Sequence, residues 1–578
     1  MVILGISCFY HDAAAALVRD GVLVAAAQEE RFTRKKHDQN FPVHAIQSCL
    51  KQVALDPVQI DYIAFYDKPF VKFERILSTY IATFPRSFPS FLKALPIWIK
   101  EKMWIPQTIR KELHYEGEIL FTEHHLSHAA SAFLVSPFEE AAILTLDGVG
   151  EWETSTYGVG RGTTIDLQRC THFPHSLGLL YSAFTYYLGF RVNSAEYKVM
   201  GLAPYGEPRF YDLIMNNLVS VAEDGSFKVN MKYFSYDYGL RMTGRSFERL
   251  FGEPRREPES PLSQFYKDVA ASLQKVTDTI VVRMARHIER ETGMRHLCMA
   301  GGVALNCVSN SKIYENTSFK DIFVQPAAGD AGGSLGAAFY VHNTLLNNPR
   351  SFVLKDVFLG PEYSDTYIEH FLLKKNIPHR KLEHKELLRE TARLIAGQNV
   401  VGWFQGRMEF GPRALGSRSI LADPRNPKNQ SIVNLKIKFR ESFRPFAPAV
   451  LEDKVENHFD WNRPSPFMLF VATVPAEKRT IPAVTHVDGS ARLQTIARDQ
   501  HPMFYDLITE FDRQTGCPVL INTSFNVRGE PIVCTPEDAW RCFMRTEMDS
   551  LVLGSFMLEK KEMKEVNREE FQDAFEPD

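Results

Sequence analysis

His124 and His128 stand four residues apart in TEHHLSHAASAF, residues 122–133. On a helix this spacing puts both imidazoles on one face, close enough to grip a single ion. The pattern predicts such a helix, with Thr122 as N-cap, Glu123 in the first turn and an apolar opposite face after Leu126. Asp147 ends the apolar run 141–146 and Gly148 follows it, so a carboxylate stands at a strand end. Asp330 does the same after the strand 322–324, opening a Gly-Gly-Ser helix start in QPAAGDAGGSLGAAF. Two neutral imidazoles with carboxylates leave open positions for substrate on Fe(II), Mn(II) or Zn(II). An isolated HxxxH also reads as one capping histidine and one hydrogen-bonded core histidine, so the rest of the chain has to decide.

The elements that must place these groups follow from the apolar runs and their punctuation. A strand is predicted over 2–9, a polar turn at Tyr10-His11-Asp12, a second strand over 13–18, a two-residue turn at Asp20-Gly21 and a third strand over 22–28. The plan recurs from Ala141 to Leu167: apolar strand, Asp147-Gly148 turn, a strand around 154–159, then 164–167. This duplication resembles the actin, sugar-kinase and heat-shock-chaperone ATPase superfamily, in which each hairpin presents a polar turn to a cleft. After a strand over 297–300, Gly301-Gly302-Val303-Ala304-Leu305-Asn306 opens a helix where small residues let backbone N–H groups approach an anion; a simple tight turn is the other reading.

Other stretches are read in the same way. The charge run Glu29–His37 is expected to be a solvated loop, with Lys36 positioned to touch phosphate. Residues 69–104 alternate aromatics with Lys and Arg, which suits an amphipathic helical insertion over the cleft or at a homodimer interface. NSAEYKVMGLAPYG, residues 193–206, reads as a loop whose Glu196 and Lys198 touch an acceptor or form a structural ion pair. Residues 207–265 form a motif-free excursion.

Between Gln405 and Pro445 stand nine cations (Arg407, Arg413, Arg418, Arg425, Lys428, Lys436, Lys438, Arg440 and Arg444) and three acids (Glu409, Asp423 and Glu441). In a chain of net charge −3 this excess suits anionic ligands. NLKIKFR alternates as a strand would, lining Lys436, Lys438 and Arg440 on one face, with a mixed-face helix as the alternative. Asn522, Ser524, Asn526 and Arg528 lie at and beyond the end of a strand that starts near Val519, and Arg492 lies in GSARLQTI.

Composition bounds the class. At 578 residues, 44% hydrophobic and 24% charged, the chain is long enough for two or more cores. The weak net charge argues against nucleic acid as an obligatory partner. Eight cysteines without a CxxC pair read as buried free thiols in a reducing cytoplasm. The N-terminus lacks a basic n-region, and the uncharged run 170–190 is too broken to span a bilayer, so a cytoplasmic protein without membrane contact is expected.

HHLSHAAS, LTLDGVGE, MAGGVALN and AAGDAGGSLGAA resemble the first domain of the NodU/CmcH/TobZ family of O-carbamoyltransferases, itself similar to TsaD. The second half resembles YrdC, through GPRALG, KFRESFRPFAP and INTSFN. The resemblance implies an α/β chain: a duplicated TsaD-like domain over 1–345 with insertions near 69–115 and 207–265, a linker over 346–360 and a YrdC-like domain over 361–578. It implies that His124, His128, Asp147 and Asp330 hold divalent iron. His11, with Asp12 beside it, would be catalytic, and Lys36, Gly301, Gly302 and Asn306 would face the nucleotide. Arg413, Lys438, Arg444, Arg492 and Asn522 would bind carbamoyl phosphate and ATP with Mg2+. The implied reaction forms carbamoyl-adenylate in the second domain, carries it along an enclosed path and transfers the carbamoyl group to a hydroxyl of a small-molecule acceptor, such as a saccharide or secondary metabolite, in the first. A fused tRNA threonylcarbamoyl transferase and a non-catalytic nucleotide- and metal-binding regulator are the other two readings.

Overall fold

The computed structural model describes residues 1–100 and 102–563. The chain forms two compact units. The first comprises Met1–Glu29 and His37–Leu354; the second comprises Glu30–Lys36 and the chain from Lys355 onward. The boundary between them falls between Leu354 and Lys355, and the short segment Glu30–Lys36 belongs to the second unit.

The first unit is built on two five-stranded sheets. One contains β1 (Val2–Ser7), β2 (Ala14–Arg19), β3 (Val22–Gln28), β4 (Tyr62–Phe65) and β5 (Glu118–Phe121), in the order β3-β2-β1-β4-β5. The other contains β6 (Glu140–Leu146), β7 (Glu153–Arg161) and β8 (Thr164–His172). After the small hairpin β9 (Val219–Val221) and β10 (Phe227–Val229), β11 (His296–Ala300) and β12 (Asp321–Val324) complete it, in the order β12-β11-β6-β7-β8. In each sheet the first strand pairs antiparallel with the hairpin strand after it and parallel with the fourth, so one topology occurs twice. This is the duplicated fold expected from the sequence. β1 is buried at all six positions, and Asp20 and Gly21 turn the next hairpin with φ of 48° and 78°, as a two-residue turn requires.

Helices supply the close contacts that fix the site. The His124–Phe133 helix packs on the Asp330–Phe339 helix so tightly that a Cβ added at Gly336 would lie 1.9 Å from the Ser127 carbonyl oxygen. No larger residue fits there without parting the two helices. Residues 69–113 form helices Pro69–Ala82, Phe88–Lys100 and Ile105–Leu113, as the aromatic-basic pattern predicted. This insertion meets the 207–265 excursion: Ser90 Oγ donates to the Tyr238 carbonyl and Arg86 lies 4.8 Å from the Tyr238 ring.

The second unit is an α/β unit on a nine-stranded mixed sheet. Its strands are β13 (Arg380–Lys381), β14 (Val401–Phe404), β15 (Arg418–Ala422), β16 (Ala447–Leu451), β17 (Phe470–Thr473), β18 (Ser490–Ile496), β19 (Val519–Ser524), β20 (Ser550–Leu553) and β21 (Phe556–Glu559). They run in the order β13-β21-β20-β14-β15-β19-β16-β18-β17.

Several local expectations are corrected. The 193–206 stretch contains a helix, Glu196–Leu202, because Val199 and Leu202 bury one side of it. NLKIKFR forms a π-helical turn, Val433–Ile437, with Val433, Asn434, Ile437 and Lys438 buried at helical spacing; a two-residue period over so short a run also fits a helix. The Glu29–His37 run is no solvated loop: Glu29, Glu30 and Arg31 are buried. Cys170 is exposed, while the other seven cysteines are buried, and none of the eight forms a disulfide. Among the described residues no helix is long and apolar enough to cross a membrane.

Candidate metal centre and active site

The fold brings His124, His128, Asp147 and Asp330 together, all buried, with donor atoms that lie within 4.8 Å of one another. The two Nε2 atoms are 3.1 Å apart, His124 Nε2 is 3.3 Å from Asp147 Oδ2, and each imidazole is 3.8 Å from Asp330 Oδ1. Donors bound at about 2.1 Å and at right angles to one another lie roughly 3.0 Å apart, so the set fits one divalent ion. Electrostatics agree. Burial pushes the His124 imidazole well below its usual range and lowers His128, leaving neutral donors. Burial and the Asp147 charge push Asp330 up to about 8, a repulsion that a cation relieves. The Nδ1 atoms of both histidines are buried without a hydrogen-bond partner among the described residues.

The helix that carries the histidines starts differently from the expectation. Glu123 is its N-cap position and Glu151, in LTLDGVGE, accepts the His124 N–H at 3.0–3.1 Å. Thr122 is diverted: its hydroxyl donates to the Phe65 carbonyl at 3.0 Å. Glu151 also accepts from Lys68 N–H, and burial followed by Asp67 pushes it up to about 7. Gly301 lies at φ 94°, close against Leu146, which aims the Gly302 N–H at Asp147 Oδ1 (2.9 Å). The Gly-Gly turn therefore steadies the Asp147 carboxylate. Asn306 is spent on Ser309 N–H and Gln274.

His11 stands in a chain of polar contacts. Its Nδ1 lies 2.9 Å from Asp12 Oδ2, its Nε2 lies 2.6 Å from the Asn193 carbonyl, and His37 Nδ1 lies 2.8 Å from Asp12 Oδ1. Both His11 nitrogens face acceptors, so the ring rests as a doubly donating imidazolium. Burial alone would lower it; the Asp12 charge and hydrogen bond outweigh that and push it up to about 10. Glu196 accepts from Asn193 N–H (2.8 Å) and Ser182 Oγ (2.7 Å), so it holds the loop that meets His11. Lys198 is buried, 5.6 Å from the Phe190 ring.

Sequence reasoning missed His37, one residue beyond the lysine it singled out, together with Glu151, Lys72 and Arg75. Lys72 is buried, pairs with Asp67 at 2.7 Å and lies 4.7 Å from the Tyr10 ring. Arg75 is 6% exposed and stacks 5.1 Å from Phe173, and its Nε has no hydrogen-bond partner among the described residues. A pair of cations three residues apart on one face of the insertion helix was the available signal.

The segment that carries Lys36, Glu30–Lys36, groups with the second unit. There Arg31 donates to the Gly411 carbonyl (2.8 Å), and Arg34 donates to Ile532 O (2.7 Å), Pro531 O (2.9 Å) and Glu530 (2.9 Å).

In the second unit, Asn522 donates to Gln494 (2.7 Å) and to the Ala414 carbonyl beside Arg413. Gln494 and Arg492 share β18. Lys438 is buried and donates to Ser524 O (2.6 Å) and Asn526 O (2.9 Å); burial, with Arg440 and Arg444 nearby, holds it well below the usual lysine range. Arg444 lies 3.6 Å from Glu441, and the Asn434 amide donates to its carbonyl. The five predicted residues thus belong to one framework of strands and bracing loops. Other cations of the basic stretch serve the fold: Arg418 is buried against Phe404 and four backbone carbonyls, Arg425 pairs with Asp423, and Lys436 pairs with Glu547. Glu409 Oε1 accepts from the N–H groups of Leu415 (2.8 Å), Ser417 (2.7 Å) and Arg418 (3.2 Å), which fixes the GPRALGS loop.

Comparison with known proteins follows the same two halves. The carbamoyltransferase N-terminus family profile matches residues 2–339, and the carbamoyltransferase C-terminus profile matches residues 392–560. An uncharacterized protein of Synechocystis is 52% identical over 612 aligned residues, covering 100% of each chain. Nodulation protein NolNO of Sinorhizobium fredii is 40% identical, covering 96% of this chain and 79% of its own. Among solved structures, the ROK hexokinase from Thermus thermophilus is similar over 59% of this chain and 98% of its own, at 11% identity and a TM-score of 0.29. The two profiles and the extent of the match to its relatives show that this chain belongs to the carbamoyltransferase family and is a transferase.

Proposed function

We propose that the chain is an ATP-dependent O-carbamoyltransferase whose second unit makes carbamoyl-adenylate and whose first unit delivers the carbamoyl group to a hydroxyl of a small-molecule acceptor. The observation that carries this reading is the convergence of two imidazoles and two carboxylates in the unit that also holds the His11–Asp12–His37 chain.

In the second unit, water cleaves the anhydride bond of carbamoyl phosphate to give carbamate and phosphate, and the carbamate oxygen then attacks the α-phosphorus of ATP, breaking its bond to the bridging oxygen and releasing pyrophosphate. Arg413, Arg444 and Arg492 lend fixed positive charge to these phosphates, Lys438 braces the end of the strand that carries Asn522, and Mg2+ accompanies the ATP. In the first unit the acceptor oxygen attacks the carbamoyl carbon, the bond to the adenylate oxygen breaks, and AMP leaves. His124, His128, Asp147 and Asp330 would hold a divalent iron, which when bound polarises an oxygen as a Lewis acid. Asp12 holds His11 Nδ1–H and so fixes the ring. For His11 to take the acceptor's proton, Nε2 must leave the Asn193 carbonyl and shed its own. Lys72 adds positive charge beside His124 and Asp330.

Incubation with ATP, carbamoyl phosphate and hydroxylated acceptors tests this reading. AMP and pyrophosphate should appear only with carbamoyl phosphate, and one acceptor should gain the mass of a carbamoyl group. ATP turnover indifferent to carbamoyl phosphate would overturn it.

A further inference from the structure

The edge of the second five-stranded sheet carries another set of metal-binding donors: Glu153 on β7 with Cys170 and His172 on β8. Glu153 and His172 face each other across the antiparallel ladder. Cys170 lies two residues before His172, so both side chains leave the same face of the strand. Cys170 Sγ is 3.3 Å from His172 Nε2, which is 3.6 Å from Glu153 Oε1, and all three donors lie within 4.8 Å of one another. Donors at three corners of a tetrahedron, at Zn–S and Zn–N/O bond lengths, are separated by roughly 3.4–3.6 Å. The side chains thus stand near the spacing an ion would impose.

We propose that Glu153, Cys170 and His172 form a surface site for a divalent transition-metal ion of the zinc class, with the fourth position open to water. The donor chemistry is selective: thiolate with imidazole favours Zn2+ and its neighbours over Mg2+ or Ca2+. It also differs from the first cluster, which contains no sulfur. Cys170 is the one exposed cysteine of the eight, so a thiol is presented to solvent only here. The site sits where β8 ends. The next residue, Phe173, lies under Arg75, and the Glu153 carbonyl accepts from His125 Nε2 (3.0 Å) beside the ligand His124. An ion here braces a strand end that supports both.

Cobalt(II) titration of the full-length protein tests the site, because a thiolate ligand gives a near-ultraviolet charge-transfer band that nitrogen and oxygen ligands do not. Co2+ added beyond the equivalent that the first cluster takes should raise the band, and Zn2+ should bleach it. Cys170→Ser should abolish it without changing the melting temperature of the metal-free protein, His172→Ala and Glu153→Gln should weaken Co2+ binding at least tenfold, and His128→Ala should leave the band in place. No band at saturating Co2+ would overturn the site. So would a band unchanged in His172→Ala and Glu153→Gln, since the thiol would then be acting alone.

Discussion

The Nε2 atoms of His124 and His128 lie 3.1 Å apart, with Asp330 Oδ1 3.8 Å from each. Two neutral imidazoles and two buried carboxylates at this spacing have their strongest common partner in a divalent cation. His128→Ala should lower the iron content of the purified protein at least tenfold. Chelation should lower the melting temperature of the wild type and leave that of the variant unchanged. Equal metal content in both proteins would contradict the site.

A second prediction removes the geometry without touching a ligand. Gly336→Ala sets a methyl group against the Ser127 carbonyl, 1.9 Å from its oxygen before relaxation, and so drives the two ligand-bearing helices apart. Overpacking of this kind costs about 1–3 kcal/mol or more. Both the melting temperature and the metal affinity should fall; stability lost with metal affinity intact would show that the helix contact does not set the site.

The His11–Asp12 pair predicts a pH dependence. The His11 pKa in the folded chain is about 10, above its ordinary 6.5, so the stability it contributes is fully present below pH 6.5 and is lost as pH rises through 10. Asp12 is held well below the usual carboxylate range, so the pair stays intact down to about pH 4. The melting-temperature gap between wild type and His11→Asn should therefore be widest between about pH 4 and 6.5 and narrow towards pH 10. A gap that widens with pH would contradict the ion pair.

Glu409 offers a test in the second unit. Its Oε1 serves three backbone N–H groups of the loop that presents Arg413. Glu409→Ala should cost about 3 kcal/mol or more by leaving buried donors unsatisfied. It should abolish carbamoyl-phosphate-dependent pyrophosphate release while sparing metal content in the first unit. Unchanged pyrophosphate release would separate the loop from ATP chemistry.

Much of this was legible because the chemistry sits at punctuation marks. His11 and Asp12 follow β1, Asp147 follows β6, and Asp330 opens a helix after β12, positions where an apolar run must end and a polar side chain has to face something. The repeated strand plan was readable for the same reason. Contacts made by residues distant in sequence were not: Glu151 reaches back to His124 N–H, Glu196 holds Asn193 against His11, and the Arg31–Arg34 segment is satisfied by Gly411, Glu530, Pro531 and Ile532. A charge run looks solvated until its partners appear some 500 positions later, 498 residues in the case of Arg34 and Ile532. Nor could the sequence divide the basic stretch between fold and site: Arg418, Arg425 and Lys436 are occupied by carbonyls, an aspartate and a glutamate within the fold.

The division of labour between the two units is tested most directly by ATP–pyrophosphate exchange dependent on carbamoyl phosphate, measured beside carbamoyl transfer in His11→Asn and in His124→Ala. Exchange at wild-type rate with no transfer product is the predicted result for both variants. Loss of exchange together with transfer would mean that activation and transfer are not separate reactions of this chain.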